Sequence, residues 1–114
     1  MTPICESPLG FEDGQIASYR AVAGRLEVDF EFWNEQLGKL VFEGLVGIQD
    51  AGAIGVTVGS SCEAPSSDLV ASLIRRHFER PPETLDWKHF RFLDVEGGAL
   101  FDVVARSCSF LWVR

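Results

Sequence analysis

Carboxylates recur at every second position in the stretch Arg-Leu-Glu-Val-Asp-Phe-Glu-Phe-Trp, residues 25–33. In an extended chain this alternation places Glu27, Asp29 and Glu31 on one face and the apolar side chains on the other. Neighbouring carboxylates on one face stand about 7 Å apart and repel by roughly 0.6 kcal/mol in water, or by roughly 2–2.5 kcal/mol at an effective dielectric constant near 20. The row must therefore be hydrated, paired with bases, or used to bind something positive.

Three uses of this acidic row remain open from the sequence. Lys39, Arg91 and Arg106 are available as partners across a sheet. A basic protein could dock on the row, whereas Ca²⁺ or Mg²⁺ is less suited because a flat strand splays its carboxylates. Trp33 extends the same face, and a tryptophan beside carboxylates is typical of a protein-binding hot spot. The alternative is a sheet-edge tryptophan covered by a terminal segment such as residues 1–15. The predicted partner-binding residues are Glu27, Asp29, Glu31, Trp33, Glu35 and Glu43.

Catalytic and metal-binding motifs give weaker patterns. His89 could act as a general base if Asp94 or Asp102 oriented it, but no nucleophile signature accompanies it. His77 lies among apolar residues, and zinc would need at least three converging ligands. Cys62 stands too far from a predicted helix start to gain much thiolate character. The glycine-containing loops lack the lysine of a phosphate-binding loop. We therefore expect no enzyme activity, no cofactor and no metal.

The charge of the chain is unevenly distributed. The formal net charge is −7, and residues 1–63 hold ten acids and three bases, whereas residues 64–114 hold seven of each. An acidic first half argues against nucleic acid and anionic membrane as partners and favours a basic protein or a cation. The same excess could also serve only to keep the protein dispersed in water.

The three cysteines, Cys5, Cys62 and Cys108, match neither a metal-binding spacing nor a disulfide framework. No apolar run approaches the roughly 18 residues of a membrane span, and the first residues do not resemble a signal peptide. We therefore expect reduced cysteines and a cytoplasmic location.

Hydrophobic periodicity predicts strands on both sides of one helix. Ser66-Ser67-Asp68 is a capping signal, apolar residues then recur at helical spacing, and Pro81-Pro82 ends the pattern near Arg80. Gly44 and Gly47 indicate a bulge or a close backbone approach within the third strand, and the adjacent glycines Gly97 and Gly98 indicate a primed hairpin turn. The predicted strands cover residues 16–23, 26–32, 39–48, 54–59, 85–95, 100–106 and 108–113.

This order predicts an α+β domain: a curved, mostly antiparallel sheet of six to seven strands with one helix packed on one face. Residues 1–15 are expected to form an irregular N-terminal leader and residues 16–114 a single α+β domain. A strongly curled sheet would instead give a half-open barrel. The core residues expected beneath the helix are Val28, Phe30, Phe42, Val56, Phe90 and Phe92.

Residues 24–33, 87–92 and 100–108 together resemble small bacterial immunity-type proteins that accompany polymorphic toxins. The similarity covers residues 20–113 and consists of strands and aromatic positions. It implies a non-enzymatic, cytoplasmic protein that binds and blocks a cognate toxin domain. It carries over no toxin-contacting residue, because such families use variable surfaces.

The preferred hypothesis is a protein-binding module that occludes a basic bacterial toxin domain. The alternative is a carrier of a small apolar ligand, with a pocket between sheet and helix lined by Phe30, Phe42, Phe90 and Phe92. A hydrolase or transferase built on His89 is a third class. The oligomeric state is open, and a homodimer is compatible with the sequence.

Overall fold

The computed structural model describes residues 9–64 and 87–113. These residues form eight strands, and within them no helix has the length and apolar character needed to cross a membrane. The strands are β1 (Gln15–Val22), β2 (Arg25–Glu31), β3 (Leu37–Glu43), β4 (Gly47–Asp50), β5 (Ser60–Ala64), β6 (Lys88–Leu93), β7 (Ala99–Ala105) and β8 (Ser107–Trp112).

The strands make two antiparallel sheets of four strands each. Sheet 1 has the order β1-β2-β3-β8, and sheet 2 has the order β4-β7-β6-β5. The predicted fold class, one curved α+β sheet with a helix packed on it, is therefore wrong: the described part of the chain is all-β. The predicted helix over residues 66–80 lies outside the described residues.

One two-stranded ribbon connects the sheets. In sheet 1, β3 pairs with β8 from Gly38↔Trp112 to Glu43↔Ser107. The same two chain segments continue into sheet 2, where β4 pairs with β7 from Gly47↔Val104 onward. The bend falls at Gly44, which has φ +66°, and at Arg106, whose N–H donates to the Glu43 carbonyl at 2.9 Å. The predicted bulge at Gly44 is thus a change of sheet, as at the corners of β-sandwiches.

The core lies between the two sheets and is dominated by phenylalanine. Phe30 and Phe92 stack with ring centroids 6.0 Å apart, and Phe42 meets Phe90 edge to face at 5.2 Å. Five of the six predicted core residues are buried, but Val56 is 39% exposed. Phe11 is also buried and contacts Phe30 at 5.0 Å, so the core takes in a side chain from before β1.

Two predictions in the middle of the chain were wrong. Residues 54–59 do not form a strand; this segment contacts β1 only through isolated bridges, Gln15↔Thr57 and Ile16↔Ile54. The predicted loop after Gly59 instead contains β5, which pairs with β6 from Ser60↔Leu93 to Ala64↔His89. The isolated bridges between residues 54–57 and β1 close one side of the sandwich between the sheets.

Two hairpin turns place non-glycine residues at positive φ. β1 and β2 are joined by Ala23 (φ +50°) and Gly24 (φ +75°), the two-residue primed turn that fits the twist of paired strands. β2 and β3 are joined through Glu35, at φ +68°. Between β6 and β7, Gly97 has φ +85° but Gly98 has no positive φ, so the predicted primed turn is replaced by a longer loop.

Candidate functional site

The predicted acidic row lies on the outer face of sheet 1. Leu26, Val28 and Phe30 are fully buried, so Glu27, Asp29 and Glu31 point away from the core, as the alternation predicts. Glu27 is opposite Val41, Asp29 is opposite Lys39 and Glu31 is opposite Leu37.

Basic side chains on the same face of sheet 1 form ion pairs with two of these three carboxylates. The Lys39 ammonium lies 3.2 Å from Glu27 Oε1 and 3.9 Å from Asp29 Oδ1, and Arg20 lies 3.4 Å from Glu27 Oε2. The hydrogen bond from Lys39, helped by Arg20, holds the pKa of the Glu27 carboxyl below its usual value. Ser18 donates a hydrogen bond to Asp29 at 2.9 Å. Glu27 and Asp29 thus have their counter-charges within the sheet, and the predicted pairing with Lys39 is found.

The other two candidate bases are used elsewhere. Arg91 binds Asp102 in sheet 2, and the Arg106 guanidinium lies over the Trp87 ring at 4.7 Å. The surface depression of about 320 Å³ at the acidic row is lined by Ser18, Tyr19, Arg20, Glu27, Asp29 and Lys39. It contains two bases beside its two acids, so it offers no concentrated negative charge.

The six predicted partner-binding residues do not form one surface. Glu43 lies at the far end of sheet 1, where its nearest base is Arg25 at 3.9 Å. Glu31 is about 20 Å away from it, six residues along the paired strands. The structure instead brings Glu31, Trp33 and Glu35 together around the β2–β3 loop.

The β2–β3 loop is a three-residue hairpin connection that displays Trp33. The Phe32 N–H donates to the Gln36 carbonyl at 2.9 Å, and the Glu35 N–H donates to the Phe32 carbonyl at 2.9 Å. This pattern requires a left-handed residue at the third loop position, here Glu35. The Asn34 side chain accepts a hydrogen bond from the Gln36 N–H at 3.1 Å and stabilises the loop. The Trp33 side chain is left 63% exposed.

Other turns at this end of the sandwich add further carboxylates. The Asp13 N–H donates to the Val58 carbonyl at 2.9 Å, and the next residue, Gly59, donates to Leu93 at 2.8 Å. The turn after β6 therefore lies close to the segment before β1. We call this region the acidic end; its carboxylates are Glu12, Asp13, Glu31, Glu35, Asp94 and Glu96.

Within the described residues, the segments that make up the acidic end contain no base. Residues 9–15, 31–37, 56–60 and 93–99 include six acids but neither lysine nor arginine. Throughout residues 9–64 and 87–113, none of the six carboxylates forms an ion pair. Asp94 caps its own turn by accepting from the Glu96 and Gly98 N–H groups at 2.9 Å. The contribution of Glu12, Asp13, Asp94 and Glu96 was missed in the sequence, although the lack of bases in these turn segments was visible there.

Sheet 2 holds a buried histidine–aspartate pair. His89 Nε2 and Asp102 Oδ1 are 2.6 Å apart, and the Arg91 Nε–H donates to the same oxygen at 2.9 Å. The pair arises because Arg91 and Asp102 are opposite each other on β6 and β7, with His89 on the same face. Burial raises the pKa of the Asp102 carboxyl, but the hydrogen bonds from His89 and Arg91 outweigh it and leave the pKa below its usual value.

Of the two acids considered as partners for His89, the structure selects Asp102 and not Asp94. A histidine oriented by a carboxylate is the arrangement of a general base. Here both side chains are only about 4% exposed, and Arg91 balances the carboxylate charge. Such a cluster satisfies buried polar groups, which is what stability requires of them.

The cysteines differ from the sequence prediction. Cys108 is disulfide-bonded. Cys62 lies on β5, opposite Arg91 of β6, and carries a free thiol. The expectation that all three cysteines are reduced is therefore wrong at Cys108. Among the residues described, no group of three or more histidine, cysteine, aspartate or glutamate side chains could hold a metal ion.

Comparison with protein-family models, with curated proteins and with solved structures finds no match to this chain. The fold and the site therefore define only its structural class, a two-sheet antiparallel β protein with one acidic end.

Proposed function

We propose that the chain is a non-enzymatic protein-binding module whose acidic end engages a basic protein domain. The observation that carries this proposal is Trp33, 63% exposed on a hydrogen-bonded loop and flanked by Glu31 and Glu35. An exposed tryptophan on a rigid loop is the residue type that dominates protein interfaces. The surrounding carboxylates would favour lysine and arginine on the partner and would speed the encounter.

Glu35 gives a second, independent argument for binding. A residue with a Cβ in the left-handed region costs about 1–2 kcal/mol, and the matching position of the β6–β7 loop is Gly97. The chain therefore carries a glutamate where a glycine would be more stable. Backbone strain of this kind is common at functional sites. A carboxylate needed for binding would account for it.

The biological role that we propose is that of an immunity-type protein, which blocks a basic toxin domain by covering its active site or its substrate groove. Tight occlusion is favoured by a preformed surface, because ordering a loop on binding costs free energy and lowers the affinity. The hydrogen bonds within the β2–β3 loop favour such a preformed surface.

The first test identifies the partner by photo-cross-linking in the source cells. A photoreactive phenylalanine analogue replaces Trp33 in one variant and Ile54, which is 54% exposed and outside the acidic end, in a control. We expect one predominant, basic protein to become linked at position 33 and not at position 54. Equal labelling at both positions, or an acidic partner, would refute the proposal.

The second test compares two charge reversals of the same residue type. Glu35→Lys and Glu43→Lys change the net charge equally, and both side chains are exposed. We expect Glu35→Lys to reduce the association rate with the identified partner at least about tenfold at low salt, and Glu43→Lys to change it little. The difference should shrink at high ionic strength, since exposed charges are then screened. Equal effects would show that only overall charge matters.

The carrier alternative is weakened by the core packing. Phe30, Phe42, Phe90 and Phe92, proposed as pocket walls, are at most 1% exposed, and their rings contact one another. Rings at contact distance leave no room for a ligand between them. Thermal stabilisation of the pure protein by long-chain fatty acids would restore this alternative.

The predicted cytoplasmic location was argued from reduced cysteines. That argument does not hold, because Cys108 is disulfide-bonded and such bonds form mainly in oxidising compartments. Peptide mapping of protein alkylated before reduction tests this assignment. We expect Cys62 to be modified and Cys108 to be protected. Alkylation of both in protein taken directly from cells would favour a reducing compartment.

A further inference from the structure

Among residues 9–64 and 87–113, no strand pairs with the outer side of β8, which forms one edge of sheet 1. β8 pairs with β3 on one side, and the structure places no other described strand beside it. Leu111, Trp112 and Val113 are 48%, 38% and 46% exposed. An open edge presents unpaired backbone groups to which another strand can be added.

The hydrogen-bond pattern shows which backbone groups face outward. The Val113 N–H donates to the Leu37 carbonyl at 3.0 Å, so Val113 points its backbone groups toward β3. Antiparallel pairs alternate between bonded and non-bonded positions, so Leu111 also bonds β3. Phe110 and Trp112 therefore turn their N–H and carbonyl groups away from β3, and within the described residues these groups have no partner.

The β8 edge lacks the devices that usually protect edge strands. Its sequence, Ser-Cys-Ser-Phe-Leu-Trp, contains neither a charged residue nor proline. The other edges are different: β1 carries Arg20 and is bridged by residues 54 and 57, β4 has only four residues, and β5 carries Glu63 paired with Lys88 at 3.2 Å.

The side chains at this edge form an apolar strip. Leu37, Leu111 and Val113 lie on the outer face of sheet 1, where Leu111 is opposite Lys39 and Val113 is bonded to Leu37. Lys39 is already paired with Glu27 and Asp29. The strip is therefore neutral, in a chain whose net charge is −7. A basic partner has no electrostatic reason to choose it, whereas a second copy of the chain meets no like charge there.

We propose that two copies of this chain pair through β8, antiparallel about a two-fold axis, to make one continuous eight-stranded sheet. Antiparallel pairing of a strand with itself is self-complementary, as a two-fold interface requires. With Leu111 opposite Leu111 of the partner subunit, Phe110 and Trp112 exchange four backbone hydrogen bonds with Trp112 and Phe110 of the partner subunit. The two leucines face each other at the non-bonded position, where the Cα atoms are about 4.5 Å apart.

The test measures the mass of the pure chain by sedimentation velocity over a micromolar to submillimolar concentration series. We expect a species of twice the 12.6 kDa chain mass. Leu111→Lys should raise the dissociation constant at least about tenfold by placing two ammonium groups opposite each other. Val113→Lys serves as a second variant. Val22→Lys, at a 56% exposed site on β1, is the matched control and should leave the dimer unchanged.

A cysteine pair tests the register. In a Cys62→Ser background, Leu111→Cys should form an intersubunit disulfide on mild oxidation, because its Cα separation falls within the range a disulfide spans. Ser109→Cys should not, because in this register its counterpart is about 14 Å away. A wild-type chain that stays monomeric, a dimer indifferent to both lysine variants, or cross-linking at 109 instead of 111 would each overturn the proposal. The test uses the chain alone, so it fails independently of the proposed toxin binding.

Discussion

The two three-residue hairpin loops in the described part of the chain share one hydrogen-bond pattern but carry different residues at the left-handed position. In the β2–β3 loop the hydrogen bonds Phe32 N to Gln36 O and Glu35 N to Phe32 O are both 2.9 Å long. In the β6–β7 loop the equivalent bonds join Asp94 and Gly98 at 2.9 Å, and Gly97 and Asp94 at 3.0 Å. The left-handed position is a glutamate in one loop and a glycine in the other.

Glu35→Gly should therefore stabilise the protein. Removing the Cβ from the left-handed region gains about 1–2 kcal/mol. Glycine has greater conformational freedom in the unfolded chain, and the entropy it loses on folding offsets about 0.5–1 kcal/mol of this gain. The net gain is about 0.5–1 kcal/mol. An unfolding entropy near 2.1 cal/mol/K per residue gives about 0.24 kcal/mol/K for 114 residues, so Tm should rise by about 2–4 °C.

Gly97→Ala is the opposite change in the second loop. A Cβ added at Gly97 would meet no atom within 4 Å, so only the backbone conformation is affected. We expect a loss of about 1 kcal/mol and a Tm lower by about 4 °C. Thermal unfolding followed by circular dichroism, with urea titration at 25 °C, measures both variants. A Glu35→Gly variant that is less stable than the parent, or a Gly97→Ala variant that is more stable, would refute this account of the loops.

Three further predictions concern stability. Asp102→Asn should cost about 1–3 kcal/mol at neutral pH, because the buried carboxylate accepts a hydrogen bond from the Arg91 guanidinium and is also hydrogen-bonded to His89. Since the folded pKa of Asp102 is depressed, its contribution is present above the unfolded value near 3.9 and is lost as pH falls through the folded pKa, so chemical denaturation of the two proteins should converge only in acid. Gly38→Ala should cost about 1–3 kcal/mol in urea titrations, because the added Cβ would overlap the ring of Phe110, whereas Gly10→Ala, with open space around it, should be neutral. Ala23→Asn should raise the free energy of unfolding by about 0.5–1 kcal/mol, since asparagine suits the first position of the primed turn; a lower Tm would contradict that turn assignment.

The central strands of sheet 1, β2 and β3, were predictable because one of their faces is buried. Residues 25–31 alternate strictly, and a strand with one apolar face has only one acceptable register. The same signal misled at residues 54–58. Val58 is buried, but Ile54 and Val56 are 54% and 39% exposed, because this segment crosses between the sheets with isolated bridges and no continuous strand pairing.

The division into two sheets was not visible in the sequence. Gly44 marks an irregularity in β3, but Val41 and Phe42 before it are both buried, so the sequence does not show that the irregularity is a change of sheet. β5 is equally inconspicuous, because Ser60–Ala64 is polar and becomes a strand through its pairing with β6. Both features depend on tertiary contacts, which override local propensity.

The candidate site could be predicted by residue type but not by charge balance. The sequence shows Glu27 and Glu35 as equivalent acids near a tryptophan. The register decides between them: Lys39 is opposite Asp29 and diagonal to Glu27, whereas Glu35 is in a loop beyond the last paired base. Which carboxylates are neutralised therefore follows from pairing, and pairing was not available before the structure.

The order of the strands along the chain affects how the protein can fold while it is being synthesised. When residue 64 has left the ribosome, sheet 2 consists of its two outer members, β4 and β5, with the central β6 and β7 still missing. Sheet 1 then also lacks β8. The nascent polypeptide must keep its phenylalanines from aggregating until residues 88–112 emerge, and we expect it to depend on chaperones during that interval.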